Sequence, residues 1–148
     1  MSSLPKATQV GKDLRALLEQ IKPINGYYTD LQRVYGPTET AKDNAPKPYA
    51  LVRPGTDTRT STAGFQATRL RYFDIEVVFA NGEEVEAALD AVHIDILRAL
   101  GLGRDLPERK FPGLVDDEDE ATPSYASNGT KTHSITITIG VTYVATYN

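Results

Sequence analysis

The stretch "FQATRLRYFDIEVVFA", residues 65–80, decides the fold, because apolar and polar side chains alternate along its second half. Such alternation is typical of a β-strand with one buried face. One face of the predicted strand carries Phe73, Ile75, Val77 and Phe79, and the other carries Tyr72, Asp74, Glu76 and Val78. We therefore expect this strand to lie in the middle of a sheet that packs on a core.

Amphipathic helices are predicted before and after this strand. Over residues 9–22, apolar side chains recur at helical spacing until Pro23 ends the pattern. Residues 83–100 show the same spacing, and Gly101 is a natural helix C-cap. The two apolar stripes are Val10, Leu14, Leu17, Leu18 and Ile21 in the first helix, and Val85, Leu89, Val92, Ile96 and Leu100 in the second.

Three further strands are predicted. They are "YALVR" at 49–53, the alternating C-terminal stretch 134–147, and "INGYYTDLQRVY" at 24–35, in which Tyr27, Thr29 and Leu31 alternate with Tyr28, Asp30 and Gln32. The element order is helix, strand, strand, strand, helix, strand. It predicts one α+β domain over 1–148, with a mainly antiparallel four-stranded sheet and two helices packed on one face.

The remaining segments are predicted to be irregular. Residues 1–8 are polar and are expected to be mobile, and residues 36–48 form a proline-containing polar loop. Residues 54–66 are rich in Pro, Gly, Thr and Ser, and we expect them to form a mobile hairpin tip that projects from the domain. Residues 101–132 are predicted to be a long acidic loop.

Composition excludes several classes of protein. The absence of cysteine excludes a disulfide scaffold, a thiolate metal site and a cysteine nucleophile. A net charge of -4 argues against a dedicated nucleic-acid-binding domain. The first residues lack the apolar core of a signal peptide, and no run approaches the ~20 apolar residues of a membrane helix. A soluble protein that is not exported is expected.

Candidate catalytic and metal-binding residues are few. The two histidines, His93 and His133, are interpreted as core or boundary residues rather than as ligands. Carboxylates of the run "DDEDE" at 116–120 lack the spacing of a calcium loop. No nucleophile stands at a recognisable spacing from a base. The sequence therefore predicts no enzyme activity, no metal site and no cofactor.

The order of elements and two of its stretches resemble the bacteriophage tail terminator family of long-tailed phages, which includes minor tail proteins that cap the tail tube. The resemblance is carried by the first helix running into "INGYYTDLQRVY", by "YFDIEVVFANG" followed at once by a helix, and by the last strand. It covers roughly residues 9–147 apart from the loops. The acidic insertion at 101–132 departs from a compact terminator.

This resemblance implies a structural protein that assembles into a ring, commonly a hexamer, in the host cytoplasm and stays in the virion tail. Such a ring stops polymerisation of the tail tube at its upper end and presents a surface to the head-completion proteins. The implied partners are further copies of the chain, the tail tube protein and the neck proteins. DNA passes through the lumen of such a ring without sequence-specific binding.

The hairpin tip and its flanks are the first candidate contact surface. By resemblance, the tip is expected to engage the neighbouring subunit or the tube. The candidate contact residues are Arg53, Thr56, Asp57, Arg59, Arg69 and Arg71. Three of them, Arg53, Arg69 and Arg71, lie on strands that we pair, and they either form salt bridges to surface carboxylates or make a basic surface for an acidic neighbour.

The acidic run and the second helix supply two more candidates. The residues Asp116, Asp117, Glu118, Asp119 and Glu120 form either a solvated run or a negative lumen or rim past which DNA slides. On the second helix, Ile94 falls about 180° from Val85, beside Ala87 and Ala91. This second stripe is either an ordinary exposed apolar position or a packing site for the adjacent subunit.

Two other functions remain open on the sequence. One is another small phage protein of the neck or head–tail joint, built on a similar scaffold. The other is a soluble module that binds a ligand or a peptide. A scaffold alone does not separate these functions, because function lies in the surfaces that the scaffold presents.

Overall fold

The computed structural model describes residues 4–101, 110–125 and 132–147, and for residues 116–119 it describes the backbone alone. The fold is α+β with two α-helices, as predicted. Along the chain the elements are α1 (Lys6–Leu18), a short 3-10 helix (Pro23–Asn25), β1 (Arg33–Tyr35), β2 (Tyr49–Ala63), β3 (Gln66–Ala80), α2 (Val85–Leu100), β4 (Leu114–Ser124) and β5 (Thr132–Thr146).

The strands form one five-stranded sheet in the order β1-β2-β3-β5-β4. β3 is the central strand, as predicted, and the three pairings among β2, β3, β5 and β4 are antiparallel. The predicted four-stranded sheet was wrong by one strand, because β4 lies inside residues 101–132, which were predicted to be irregular. β1 is a short parallel strand at the β2 edge.

The core lies between one face of the sheet and the two helices. Phe73, Ile75 and Val77 of β3 are buried, as are Ile137 and Ile139 of β5. The helix stripes pack on this face through Val10, Leu14, Leu18, Leu89, Val92, Ile96 and Leu100. The opposite face carries threonine and charged side chains such as Asp74 and Thr138, which are hydrogen-bonded to each other at 2.7 Å. The predicted packing of both helices on one face is consistent with this burial pattern.

The helix ends differ slightly from the prediction. α1 already begins at Lys6, so residues 6–8 are helical and the predicted mobile segment 1–8 was wrong for them. α2 begins at Val85, and Gly101 caps it with a φ of 82°, in the left-handed conformation that glycine adopts without strain. No helix in the described parts of the chain is long and apolar enough to cross a membrane.

Most of the strand predicted at 24–35 is a loop. Only Arg33–Tyr35 pairs with the sheet. The burial alternates as predicted, with Thr29 and Leu31 buried and Tyr28 and Asp30 exposed. However, the backbone N–H groups of Tyr28 and Thr29 donate to a side-chain carboxylate of α2 and not to a neighbouring strand. Alternation therefore marked a loop laid on the core.

The predicted hairpin tip at 54–66 was also wrong as an irregular segment. β2 continues to Ala63, and β3 begins at Gln66, so the connection is a two-residue turn at Gly64 and Phe65. The register shifts between Pro54 and Asp57, where the proline and glycine are accommodated outside the regular ladder. The segment forms a strand because β3 and β5 both continue alongside it.

Candidate assembly surface

One end of the sheet forms a three-stranded extension, which we call the arm and define as residues 57–71 and 141–147. Within the arm, β3 pairs with β2 on one side and with β5 on the other, up to the pairs Ala63–Gln66 and Gln66–Thr146. Strands of 15 residues span ~50 Å, whereas the helices of 13 and 16 residues span ~20 and ~24 Å. The sheet is therefore about twice as long as the helices that cover it.

The outer edge of the arm is an unpaired strand. β1 covers β2 only at Tyr49–Leu51, and beyond Leu51 the outer edge of β2 has no partner strand within the described residues. Side chains from Arg53 to Gln66 are exposed, apart from Asp57. Unpaired edges offer free N–H and C=O groups to another chain. The arm is thus available for contact with another molecule.

The turn at the end of the arm carries an exposed aromatic side chain. Gly64 has a φ of 61°, which permits the tight connection. Phe65, which follows it, is 69% exposed. The backbone N–H of Tyr147 donates to the carbonyl of Phe65 at 2.7 Å, which ties the end of β5 to the turn. Phe65 is therefore presented by a backbone that β5 holds in place.

A buried carboxylate organises the helix-side face of the arm. Asp57 accepts hydrogen bonds from Nε of Arg69 at 2.5 Å, from Nε of Arg71 at 2.8 Å and from the hydroxyl of Tyr143. Arg69 also donates through Nη1 to the hydroxyl of Tyr147 at 3.1 Å. The Asp57 side chain is 13% exposed, and each arginine side chain is 27% exposed. This cluster ties the three strands of the arm together.

The cluster keeps its carboxylate ionised. Burial by itself raises the pKa of Asp57, but hydrogen bonds from Tyr143, Arg69 and Arg71 outweigh it and lower the pKa below the ordinary value of 3.8. Burial and the bond to Asp57 raise the pKa of Tyr143 above its ordinary value. Asp57 therefore carries its negative charge at neutral pH and acts as an acceptor.

A cavity of about 390 Å³ adjoins this cluster. It lies between the start of α1 and the helix-side face of the arm. Its walls are made by Pro5, Lys6, Ala7, Asp57, Arg69, Arg71, Tyr143, Ala145, Thr146 and Tyr147. The Cα of Arg59 is in register with that of Arg69, so its side chain stands on the same face beside the cavity. The predicted residues Asp57, Arg59, Arg69 and Arg71 are thus brought together.

Arg53 lies apart from these four residues. It is in register with Asp74, on the open face of the sheet, and it forms an exposed ion pair with Glu76 at 3.4 Å. Thr56 is exposed near the start of the arm. The six predicted contact residues therefore belong to two faces, and Arg53 has the surface salt bridge that was the alternative interpretation.

The other two candidate surfaces lie away from the arm. On α2, Ile94 is 49% exposed, Ala87 is exposed and Ala91 is half-buried, which agrees with the predicted second stripe. Residues 116–120 lie in β4, at the other edge of the sheet, where Glu120 is exposed. The side chains of Asp116, Asp117, Glu118 and Asp119 lie outside the described residues.

The histidines occupy structural positions. His133 is buried, and its Nε2 is 2.8 Å from the side-chain oxygen of Asn81. His93 is half-buried on α2. Among the described residues, no group of three or more histidine and carboxylate side chains is arranged to hold a metal ion.

Sequence reasoning missed four members of the arm surface: Lys6, Phe65 as an exposed anchor, Tyr143 and Tyr147. Tyr143 and Tyr147 lie on the same face of β5 as the core residues, and this spacing was a usable signal. The pairing of Asp57 with Arg69 and Arg71 had no such signal, because it depends on where β2 and β3 come into register.

Comparison with known proteins identifies no relative: no protein-family profile and no curated protein sequence matches the chain.

Proposed function

We propose that the protein is a phage tail terminator, a structural protein whose copies form a ring, likened above to a hexamer, on the upper end of the tail tube. In this role it stops tube polymerisation and offers a surface to the head-completion proteins. The arm carries the proposal. It extends the sheet beyond the helices and presents an unpaired edge and an exposed aromatic residue, features that an isolated subunit does not require.

The composition of the arm suits a contact that forms during assembly. Aromatic side chains such as Phe65 supply much of the binding energy at protein interfaces when they enter a pocket on the partner. The Asp57 cluster holds the strands of the arm together, so the turn is presented at a defined place. A contact surface that is ordered before binding loses less conformational entropy on association.

The chemistry of the arm also suits binding better than catalysis. A general acid or base needs a pKa near the working pH. Asp57 has a lowered pKa, and two arginines and a tyrosine occupy its oxygens. The carboxylate is therefore set up to hold its neighbours in place and not to exchange a proton.

The proposal is tested by deleting the gene in the phage that encodes it and examining the tails by electron microscopy. We expect tubes of uncontrolled length without heads, and restoration of the normal length by the wild-type gene. Tails of normal length in the deletion strain would contradict the proposal.

Fractionation of wild-type lysates separates this function from the neck-protein alternative. A terminator should copurify with finished tails that have not met a head. A protein of the head–tail joint should instead copurify with filled heads that lack tails. A protein found with neither particle would favour the ligand-binding alternative.

A further inference from the structure

The cavity beside α1 has an excess of positive charge in a chain whose net charge is negative. We call Lys6, Arg59, Arg69 and Arg71, together with Asp57, the basic pocket. Four cations face one carboxylate, which gives a net charge of +3, whereas the whole chain carries -4. Such a local excess attracts an anionic group.

The cations of the basic pocket retain unused hydrogen-bond donors. Arg71 donates only through Nε, and Arg69 donates only through Nε and Nη1. A guanidinium has further N–H groups, and in the described parts of the chain none of these meets an acceptor. Lys6 and Arg59 likewise form no ion pair with a described residue. Carboxylates are natural partners for these groups.

The same chain contains a matching acidic segment. Residues 116–120, "DDEDE", place five carboxylates in β4 without an intervening cation. β4 forms one edge of the sheet, whereas Arg59 lies on β2, toward the other edge. Complementary surfaces at different edges of one sheet favour a head-to-tail contact, and such contacts generate closed rings when the rotation permits it.

We propose that the basic pocket binds the acidic run 116–120 of a second copy of this chain. This inference rests on the proposed ring and specifies its subunit contact. The carboxylates of one subunit accept hydrogen bonds from Lys6, Arg59 and the free guanidinium groups of the next. The contact repeats around the ring, and each subunit contributes one pocket and one acidic run.

Charge reversal tests the contact without disturbing the Asp57 cluster. Arg59→Glu changes the pocket and leaves the bonds of Arg69 and Arg71 intact. Asp116→Lys combined with Asp119→Lys changes the acidic run. Each variant alone should assemble at least about tenfold more weakly than the wild type in native mass spectrometry. The matched control is Lys12→Glu, an exposed cation of α1 outside the pocket, and it should assemble normally.

Mixing the two charge-reversed proteins gives the decisive result. Each subunit then meets a complementary neighbour, so we expect mixed rings in which the two variants alternate. Failure of the mixture to assemble would overturn the proposal. So would rescue by combining all three substitutions in one chain without any assembly between chains, because that result would place the contact within a single subunit.

Two further measurements separate this inference from the proposed function. A labelled peptide of residues 114–124 should bind the full-length wild-type chain and bind the Arg59→Glu variant at least about tenfold more weakly. If the wild type forms no ring but binds this peptide, the pocket is right and the ring is wrong. If the peptide fails to bind and Arg59→Glu instead weakens binding of duplex DNA, the pocket takes phosphates and the proposal is overturned.

Discussion

Asp95 of α2 and Thr29 of the loop before β1 are joined by a hydrogen bond of 2.7 Å, in which the backbone N–H of Thr29 donates to a fully buried carboxylate. The N–H of Tyr28 donates to the same carboxylate at 3.1 Å, and Arg98 lies 3.8 Å from it. The guanidinium of Arg98 also stacks on the ring of Tyr27. Asp95 therefore fixes residues 27–29 on α2 without a strand.

Replacing Asp95 should destabilise the fold. Asp95→Ala leaves two buried N–H groups without an acceptor, and we expect the free energy of unfolding to fall by about 3 kcal/mol. Asp95→Asn keeps one side-chain oxygen and should cost less. Urea denaturation measures both variants, with the exposed Asp90→Ala as the control on the same helix. Equal stability of Asp95→Ala and Asp90→Ala would show that the loop does not depend on this carboxylate.

Asp57 should give the protein a stability that depends on pH. Its folded pKa lies below its ordinary value, so the ionised form stabilises the fold. This contribution is fully present above about pH 4 and is lost as the pH falls through the lower folded pKa. Asp57→Asn should remove about 2 kcal/mol at pH 7 and flatten the acid limb of the stability curve. An unchanged acid limb in chemical denaturation would contradict the role of the cluster.

Phe65 should contribute to assembly and not to folding. Because its side chain is 69% exposed in the single subunit, Phe65→Ser should leave the thermal midpoint unchanged. Ring formation should weaken by about tenfold or more, since an aromatic anchor is removed. Tyr28→Ser is the matched control, because Tyr28 is 71% exposed and lies away from the arm. A lower thermal midpoint for Phe65→Ser, or normal assembly, would count against the arm as the contact.

Ile94 tests the second candidate interface on α2. Ile94→Asp leaves the buried stripe of the helix intact, so the subunit should remain folded. If this face packs on the adjacent subunit, the substitution places an unpaired charge in the contact and prevents ring closure. Ile24→Asp is the control, because Ile24 is 92% exposed outside α2. Normal assembly of Ile94→Asp, measured as oligomer mass, would remove this residue from the interface.

The parts of the fold that depend on local pattern were predictable. β3, β5 and the core stripe of α2 all show regular apolar spacing, and each forms where it was expected. The extension of β2 to Ala63 was not predictable in this way, because Pro54 and Gly55 indicate a turn. There the long-range ladder with β3 prevails over local propensity.

Two other features depend on contacts that no local pattern encodes. β4 contains an acidic run and Pro123, so its strand character comes from pairing with β5. For the candidate site, the sequence identified four residues of one face, Asp57, Arg59, Arg69 and Arg71. It did not show that Arg53 faces the other way, because the register shift after Pro54 determines which side chains share a face.

The most direct test of the proposed function is native mass spectrometry of the purified wild-type protein, alone and bound to tail tubes of the phage that encodes it. The account predicts a closed ring of identical subunits, on the tube if not in free solution. A subunit that remains monomeric at every concentration, both alone and with tubes present, would contradict it.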